Sequence, residues 1–304
     1  MFFNYTGKVC YKMKTGNSQP TYKRQRFLLA FVRQLQEEIS TTDLQKLVFL
    51  HTMVEKSTFY EFIPYKYGSY SFQLAEDLDI LRRDGYISLD FTPESKKIKA
   101  VGKYLQESFF KIATERGNKL ISKAYREYPY YAINSEIANR IFKGDELQML
   151  SIEKQSYTCN LQALFTIGYE GKSIEAFINT LIKNDVRLLC DVRKNPLSRK
   201  FGFSKNKLKH IVETVGIKYI HIPELGIDSD KRNVLKTAED YKFLFNDYAK
   251  TLANLTSSLE YVSTLLSSNV RVALMCYEQK SEMCHRHIIR DYITKMHEIR
   301  SENL

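Results

Sequence analysis

The sequence predicts a protein in two parts, an α+β module followed by an α/β domain on a parallel sheet. Three observations carry this. Strand-like and helix-like segments alternate strictly from Leu164 to Met296. Before them, three amphipathic segments precede two short strand-like pieces, without such alternation. The 304 residues, 43% hydrophobic and 27% charged, are enough for two buried cores of an ordinary globular protein.

In the first part, Thr21 to Glu38 reads as an amphipathic helix whose stripe is Phe27, Leu28, Phe31 and Leu35. Ser40, Thr41 and Thr42 offer cap oxygens to a second helix through Leu44, Leu47, Val48, Leu50 and Val54. Pro64 and Gly68 break any helix across Phe62 to Ser71. A third helix starts at Ser71, turns Leu74, Leu78 and Leu81 inward and stops at Gly85. Strands Tyr86–Asp90 and Lys97–Val101 follow, with a turn over Thr92–Lys96 between them. Three helices and a hairpin is the order of a winged helix, a helix-turn-helix relative that reads DNA with its third helix. Lys103 to Gln155 reads as helical. The polar runs at Lys143–Glu146 and Ser151–Asn160 read as a linker, giving domains at 1–150 and 161–304.

In the second part, strands are expected at Leu164–Gly168, Val186–Val192, Ile217–Ile222 and Val270–Cys276. The intervening helices are one capped by Ser173, one over Lys205–Val215 and a long stretch over Ala238–Leu266. A last helix covers Cys284–Met296. Such an order predicts a Rossmann-like parallel sheet covered on both faces.

Parallel sheets hold ligands beyond the carboxyl ends of their strands. The residues that leave those ends are therefore the site candidates. Gly168-Tyr169-Glu170-Gly171 leaves the first strand, and Asp191, Arg193, Arg199 and Lys200 leave the second. Glu224 and Gly226 follow the third. Cys276 and Glu278 end the fourth, and Cys284, His285 and Arg286 open the last helix. Arg193, Arg199 and Arg286 suit phosphate or carboxylate, unless a local carboxylate such as Asp191 or Glu224 takes them. Asp191, Glu224 and Glu278 are acid-base candidates, or alternatively orient the arginines. Cys284 at a helix start beside His285 is a nucleophile candidate, with simple burial as its alternative. Tyr169 could stack on a base or cover the pocket. His221 alternates toward the sheet face, where a core role fits. Zinc held by Cys276, Cys284, His285 and His221 matches no standard spacing, so no metal is expected. No Gly-x-Gly-x-x-Gly or P-loop pattern occurs, and no cofactor is expected.

The motifs Thr166-Ile-Gly-Tyr-Glu-Gly, Asp191-Val-Arg, Asn195-Pro-Leu-Ser-Arg, Tyr219-x-His-x-Pro-Glu-Leu-Gly and Cys276-Tyr-Glu with Cys284-His-Arg resemble the domain of unknown function 488 family over Leu164 to Met296. The resemblance implies a Rossmann-like fold and a shared site, and no particular reaction. More weakly, Tyr65-Lys-Tyr-Gly-x-Tyr-Ser resembles winged-helix modules of prokaryotic regulators and defence-related proteins, over Leu44 to Ile87.

The net charge is +11 and the pI 9.2. Basic charge favours a polyanion, although a basic inert surface is the bland alternative. Lys23, Arg24, Lys66 and Tyr70 are the expected nucleic-acid contacts, DNA ahead of RNA. Tyr67 is expected to be structural, Lys66 exposed, and Arg82 and Arg83 ordinary solvated charges. The five cysteines are few and scattered, which excludes a secreted disulfide framework, and Cys10 and Cys159 read as buried apolar residues. No stretch approaches the roughly 20 apolar residues that span a bilayer, and residues 1–20 lack a signal pattern, so a cytoplasmic protein is expected. A homodimer is compatible with all of this.

The functional expectation is a nucleic-acid-binding protein whose α/β domain holds, and by hydrolysis or transfer processes, a phosphate-bearing ligand. A non-catalytic regulator that senses an anion is one rival. A thiol-dependent small-molecule enzyme is the other.

Overall fold

The expected apolar stripe builds α1 (Lys23–Leu35), which buries Phe27, Leu28, Phe31 and Val32. The structure is a computed structural model that describes residues 19–91, 96–101, 110–232 and 237–304. It divides into two units, 1–153 and 154–304, each with its own core.

In the first unit β1 (Ile39–Ser40) leads into α2 (Thr41–Glu55), whose Asp43 amide donates to Ser40 Oγ at 3.0 Å. That satisfies one of the amides a helix start leaves unpaired. The segment expected only to break helix forms a hairpin of β2 (Ile63–Tyr65) and β3 (Gly68–Tyr70). Strands of three residues are too short to show a period-2 pattern. Next come α3 (Phe72–Arg83), capped by Ser71, and the antiparallel pair β4 (Ile87–Phe91) and β5 (Lys96–Ala100). The unforeseen β1 pairs with β5, so the sheet order is β1-β5-β4. Most of the expected turn, residues 92–95, lies outside the described residues, as do 103–109 of the expected helical region and Cys10. The rest of that region is α4 (Gly117–Glu127), α5 (Ala138–Ile141) and α6 (Asp145–Ser156). The expected linker from Ser151 is thus helical to Ser156. Leu150 is buried, and Asp145 and Glu146 in the first turn complement the helix dipole.

A buried carboxylate organises this unit. Asp77 accepts from Arg24 Nε at 2.7 Å, Gln25 Nε2 at 2.8 Å and the Tyr60 hydroxyl at 3.0 Å. These bonds tie α3 to α1 through a polar group that burial alone would disfavour.

The second unit is a five-stranded, all-parallel sheet. Its strands are β6 (Ala163–Gly168), β7 (Leu188–Asp191), β8 (Lys218–His221), β9 (Arg271–Cys276) and β10 (Arg300–Asn303), in the order β10-β6-β9-β7-β8. Four were expected. The fifth, at one edge, has four exposed polar side chains and therefore no apolar signal. Every residue of β6, β7 and β9 is buried, which requires cover on both faces. One cluster joins Leu164, Leu188, Cys190, Val272 and Leu274 to α9 (Ala238–Leu252), α10 (Thr256–Asn269) and α11 (Arg286–His297). The alternate strand residues point the other way, toward α7 (Ile174–Lys183) and α8 (Lys205–Thr214). The single helical stretch expected over Ala238–Leu266 is thus two helices, broken at Ala253–Leu255.

Candidate functional site at the carboxyl edge of the sheet

The pairing register sets the site level. Gly168 pairs with Cys276, and Asp191 pairs with both Met275 and His221. Four neighbouring strands therefore end on one line, as the alternation predicted. Two glycines of the quoted motifs allow the loops to close over it. A Cβ on Gly168 would collide with the Glu278 carbonyl oxygen, and one on Gly226 with the Lys194 backbone. Both positions need glycine for close backbone approach.

Two networks occupy this edge. In the first, Arg193 donates to Asp191 in a fork, Nε to Oδ1 at 2.8 Å and Nη2 to Oδ2 at 2.5 Å. The Tyr219 hydroxyl donates to the same Oδ2 at 2.6 Å. Arg193 Nη1 donates to the Phe203 carbonyl at 2.9 Å and to the Tyr169 hydroxyl at 3.2 Å. Tyr169 stacks on Phe203 with ring centres 4.3 Å apart. Asp191 and Arg193 are 0% and 4% exposed. This corrects the expectation of Arg193 as an open anion fork, because the carboxylate two residues away takes its donors. Asp191 is likewise engaged on both oxygens, and Tyr169 spends its ring on Phe203. Burial, then Asp191, push the Tyr219 hydroxyl well above its ordinary range.

In the second network, Arg286 donates from Nη1 to the Glu278 carbonyl at 2.6 Å and from Nη2 to the Gln279 carbonyl at 3.0 Å. Its Nε is buried with no hydrogen-bond partner among the described residues. Cys276, Cys284 and His285 lie together beside it, all buried. Burial, followed by the neighbouring Cys276, raises the Cys284 thiol well above its ordinary value. The expected low-pKa nucleophile is thus corrected: the helix start is buried, and desolvation outweighs the dipole and Arg286. His285 holds the Val192 carbonyl through Nε2 at 3.1 Å, and His221 holds the Arg193 carbonyl at 2.8 Å. His221, expected in the core, is half-buried and serves the backbone instead.

The exposed rim is a different set. Arg199 is exposed, and no described residue pairs with it. Glu224 is exposed beside a small 70 Å³ hollow with Ile227, Lys231 and Tyr248. Lys172, which the sequence reading passed over, and Lys200, named there only as a residue leaving the second strand, reach back across the strand ends, donating to the Gly168 carbonyl at 3.2 Å and the Tyr169 carbonyl at 3.1 Å. Burial lowers both ammonium groups. Arg286 and then Lys200 lower Lys172 further, while Glu170 pulls Lys200 the other way. Each lysine directly follows a quoted motif residue, Gly171 or Arg199, and that adjacency was the available signal. Tyr277, half exposed, sets its ring edge against Tyr169.

In the first unit, Lys23 is exposed, whereas Arg24 is bound by Asp77 and serves that core. Lys66 is exposed and pairs with Glu136 at 3.3 Å. Tyr70 packs in an aromatic group with Tyr65 and Phe72. Tyr67, expected to be structural, is 48% exposed. Arg82 and Arg83 pair with Asp79 and Asp84.

The second unit is thus a parallel α/β domain with a buried polar layer and a basic rim at the carboxyl edge of its sheet. Residues 173–293 match the family model of the domain of unknown function DUF488. The match spans Asp191 through Arg286 and begins after the Gly168–Gly171 loop. No curated protein and no solved structure matches the chain. Among the described residues, no helix is long and apolar enough to cross a membrane.

Proposed function

We propose that the chain is a nucleic-acid-binding protein whose α/β unit holds a phosphate-bearing ligand on this rim. The observation that carries the reading is the convergence of the Lys172 and Lys200 ammonium groups on the Gly168 and Tyr169 carbonyls where the sheet ends, with Arg286 near enough to lower Lys172. Such a cluster is relieved by an anion, and exposed Arg199 adds a fork that no described residue occupies. In the first unit, three helices and the β4–β5 hairpin, with the β2–β3 hairpin inserted between α2 and α3, support a winged helix. The face of α3 does not support groove reading, since Asp79 and Asp84 already occupy Arg82 and Arg83. Lys23 is the better phosphate contact, since Lys66 is likewise paired, with Glu136.

Holding the ligand without thiol chemistry is better supported than cysteine catalysis, because Cys284 is buried and kept protonated. Hydrolysis or transfer would fall to Glu278. The test is oligonucleotide binding at rising salt. Log affinity should fall linearly with log salt, and Arg199→Gln and Lys200→Gln should each reduce the slope by about one. Binding indifferent to salt, or absent at low salt, overturns the reading.

A further inference from the structure

We propose that Cys276, Cys284 and His285 form a buried binding site for a soft cation of the Zn²⁺ class. The site uses none of the lysines or arginines assigned to the anion rim. Cys276 ends the central strand β9, and Cys284 and His285 lie immediately before α11. The chain leaves the sheet after Cys276 and returns, so two sulfurs and one imidazole nitrogen lie within 4.8 Å of one another. Cys284 Sγ is 3.8 Å from His285 Nδ1. Ligands at Zn–S of about 2.3 Å and Zn–N of about 2.0 Å sit about 3.5–4 Å apart, so only small shifts would close the site on an ion.

The histidine is already set as a ligand. The Val192 carbonyl can only accept, so at 3.1 Å it fixes the proton on Nε2. Nδ1 then keeps its lone pair and faces the Cys284 sulfur. A backbone carbonyl that fixes the tautomer from behind is the usual outer partner of a metal-bound imidazole. Charge also fits. Two thiolates and one divalent cation sum to zero, so loading adds no net charge to a place where the three residues are 2%, 0% and 1% exposed. The three protein donors are closed from solvent, which marks a structural clamp between β9 and α11, with a small non-protein ligand in the fourth position. From sequence, these three residues were named together with His221 and set aside, because seven residues separate the cysteines and the histidine directly follows the second, a spacing of no standard site.

The test uses the full chain, reduced and stripped with a chelator. Titration with Co²⁺ should produce thiolate-to-cobalt charge-transfer absorption, which Zn²⁺ then abolishes by displacement. Cys276→Ser, Cys284→Ser and His285→Gln should each weaken Zn²⁺ at least tenfold, while Cys159→Ser leaves it unchanged. The glutamine can still donate to the Val192 carbonyl, which protects the fold. Absence of the charge-transfer band in the reduced wild-type chain overturns the proposal whatever the variants do. So does a band that survives in a folded Cys276→Ser/Cys284→Ser double variant.

Discussion

At the scale of single residues, the chain places ionised and polar groups where water is excluded and then surrounds them with partners. Asp191 is the clearest case, since Arg193 and Tyr219 both depend on its oxygens. Asp191→Asn strands a buried guanidinium and should cost about 3–5 kcal/mol, read as a lower urea midpoint. Lys46 makes the opposite case. It is buried in α2, donates to the Ser69 carbonyl at 2.6 Å, and burial brings it down to about 7 although Asp43 pulls upward. The unfolded chain keeps that proton until about 10.5. Between those values the unfolded state binds more protons, so stability rises with pH, by up to about 1.4 kcal/mol per unit. Urea midpoints from about pH 7 to about pH 9 should climb in the wild type and flatten in Lys46→Met. A slope unchanged by the substitution would refute this. For the thiols, iodoacetamide at mildly alkaline pH should label half-buried Cys159 and spare Cys284 until the chain unfolds, which peptide mass mapping can read.

At the scale of elements, start signals were the most legible features. Ser173 caps as read, its Oγ accepting from the Ala176 amide at 2.9 Å; of the three candidates Ser40, Thr41 and Thr42 it is Ser40 that caps, and Ser71, read as a helix start, caps that helix. Ser173→Ala should cost about 1 kcal/mol in thermal or urea unfolding. The edge strand β10 was invisible because its exposed polar residues carry no period, yet its role is firm. Thr166 donates to Asn303 Oδ1 at 2.6 Å, Arg290 donates to the same oxygen at 2.9 Å, and the Leu304 amide donates to the Thr166 carbonyl at 2.8 Å. Removing residues 299–304 bares the edge of β6. The shortened chain should associate with rising concentration in light scattering, since an unpaired strand edge is a template for pairing. A monodisperse, equally stable product would show that the edge needs no cover.

At the scale of the whole molecule, two separate cores imply separable effects. Asp77→Asn and Asp191→Asn disrupt buried hubs in different units, so their stability losses should add within about 0.5 kcal/mol in the double variant. The chain has no tryptophan and 21 tyrosines, so tyrosine fluorescence or far-ultraviolet dichroism is the probe. A large coupling term would show that the two hubs are not independent. The net charge of +11 is divided almost evenly between the two halves. Bulk charge therefore favours a polyanion without saying which unit holds it, and the salt-dependent binding of rim variants has to decide.

The α/β class, four of the five parallel strands and the line on which they end follow from the sequence alone, because burial on two faces writes itself as apolar runs between capped helices. The loops that carry Asp191, Arg193, Cys276, Cys284 and Arg286 to that line were legible for the same reason. Which of these groups face solvent was decided only by tertiary structure. Side-chain type cannot reveal that Arg193 is consumed by Asp191, that Arg24 is consumed by Asp77, or that Cys284 sits in a dry pocket. Desolvation and pairing depend on what packs from elsewhere in the chain. The basic groups left at the rim, Lys172, Arg199 and Lys200, are those for which no buried carboxylate was within reach.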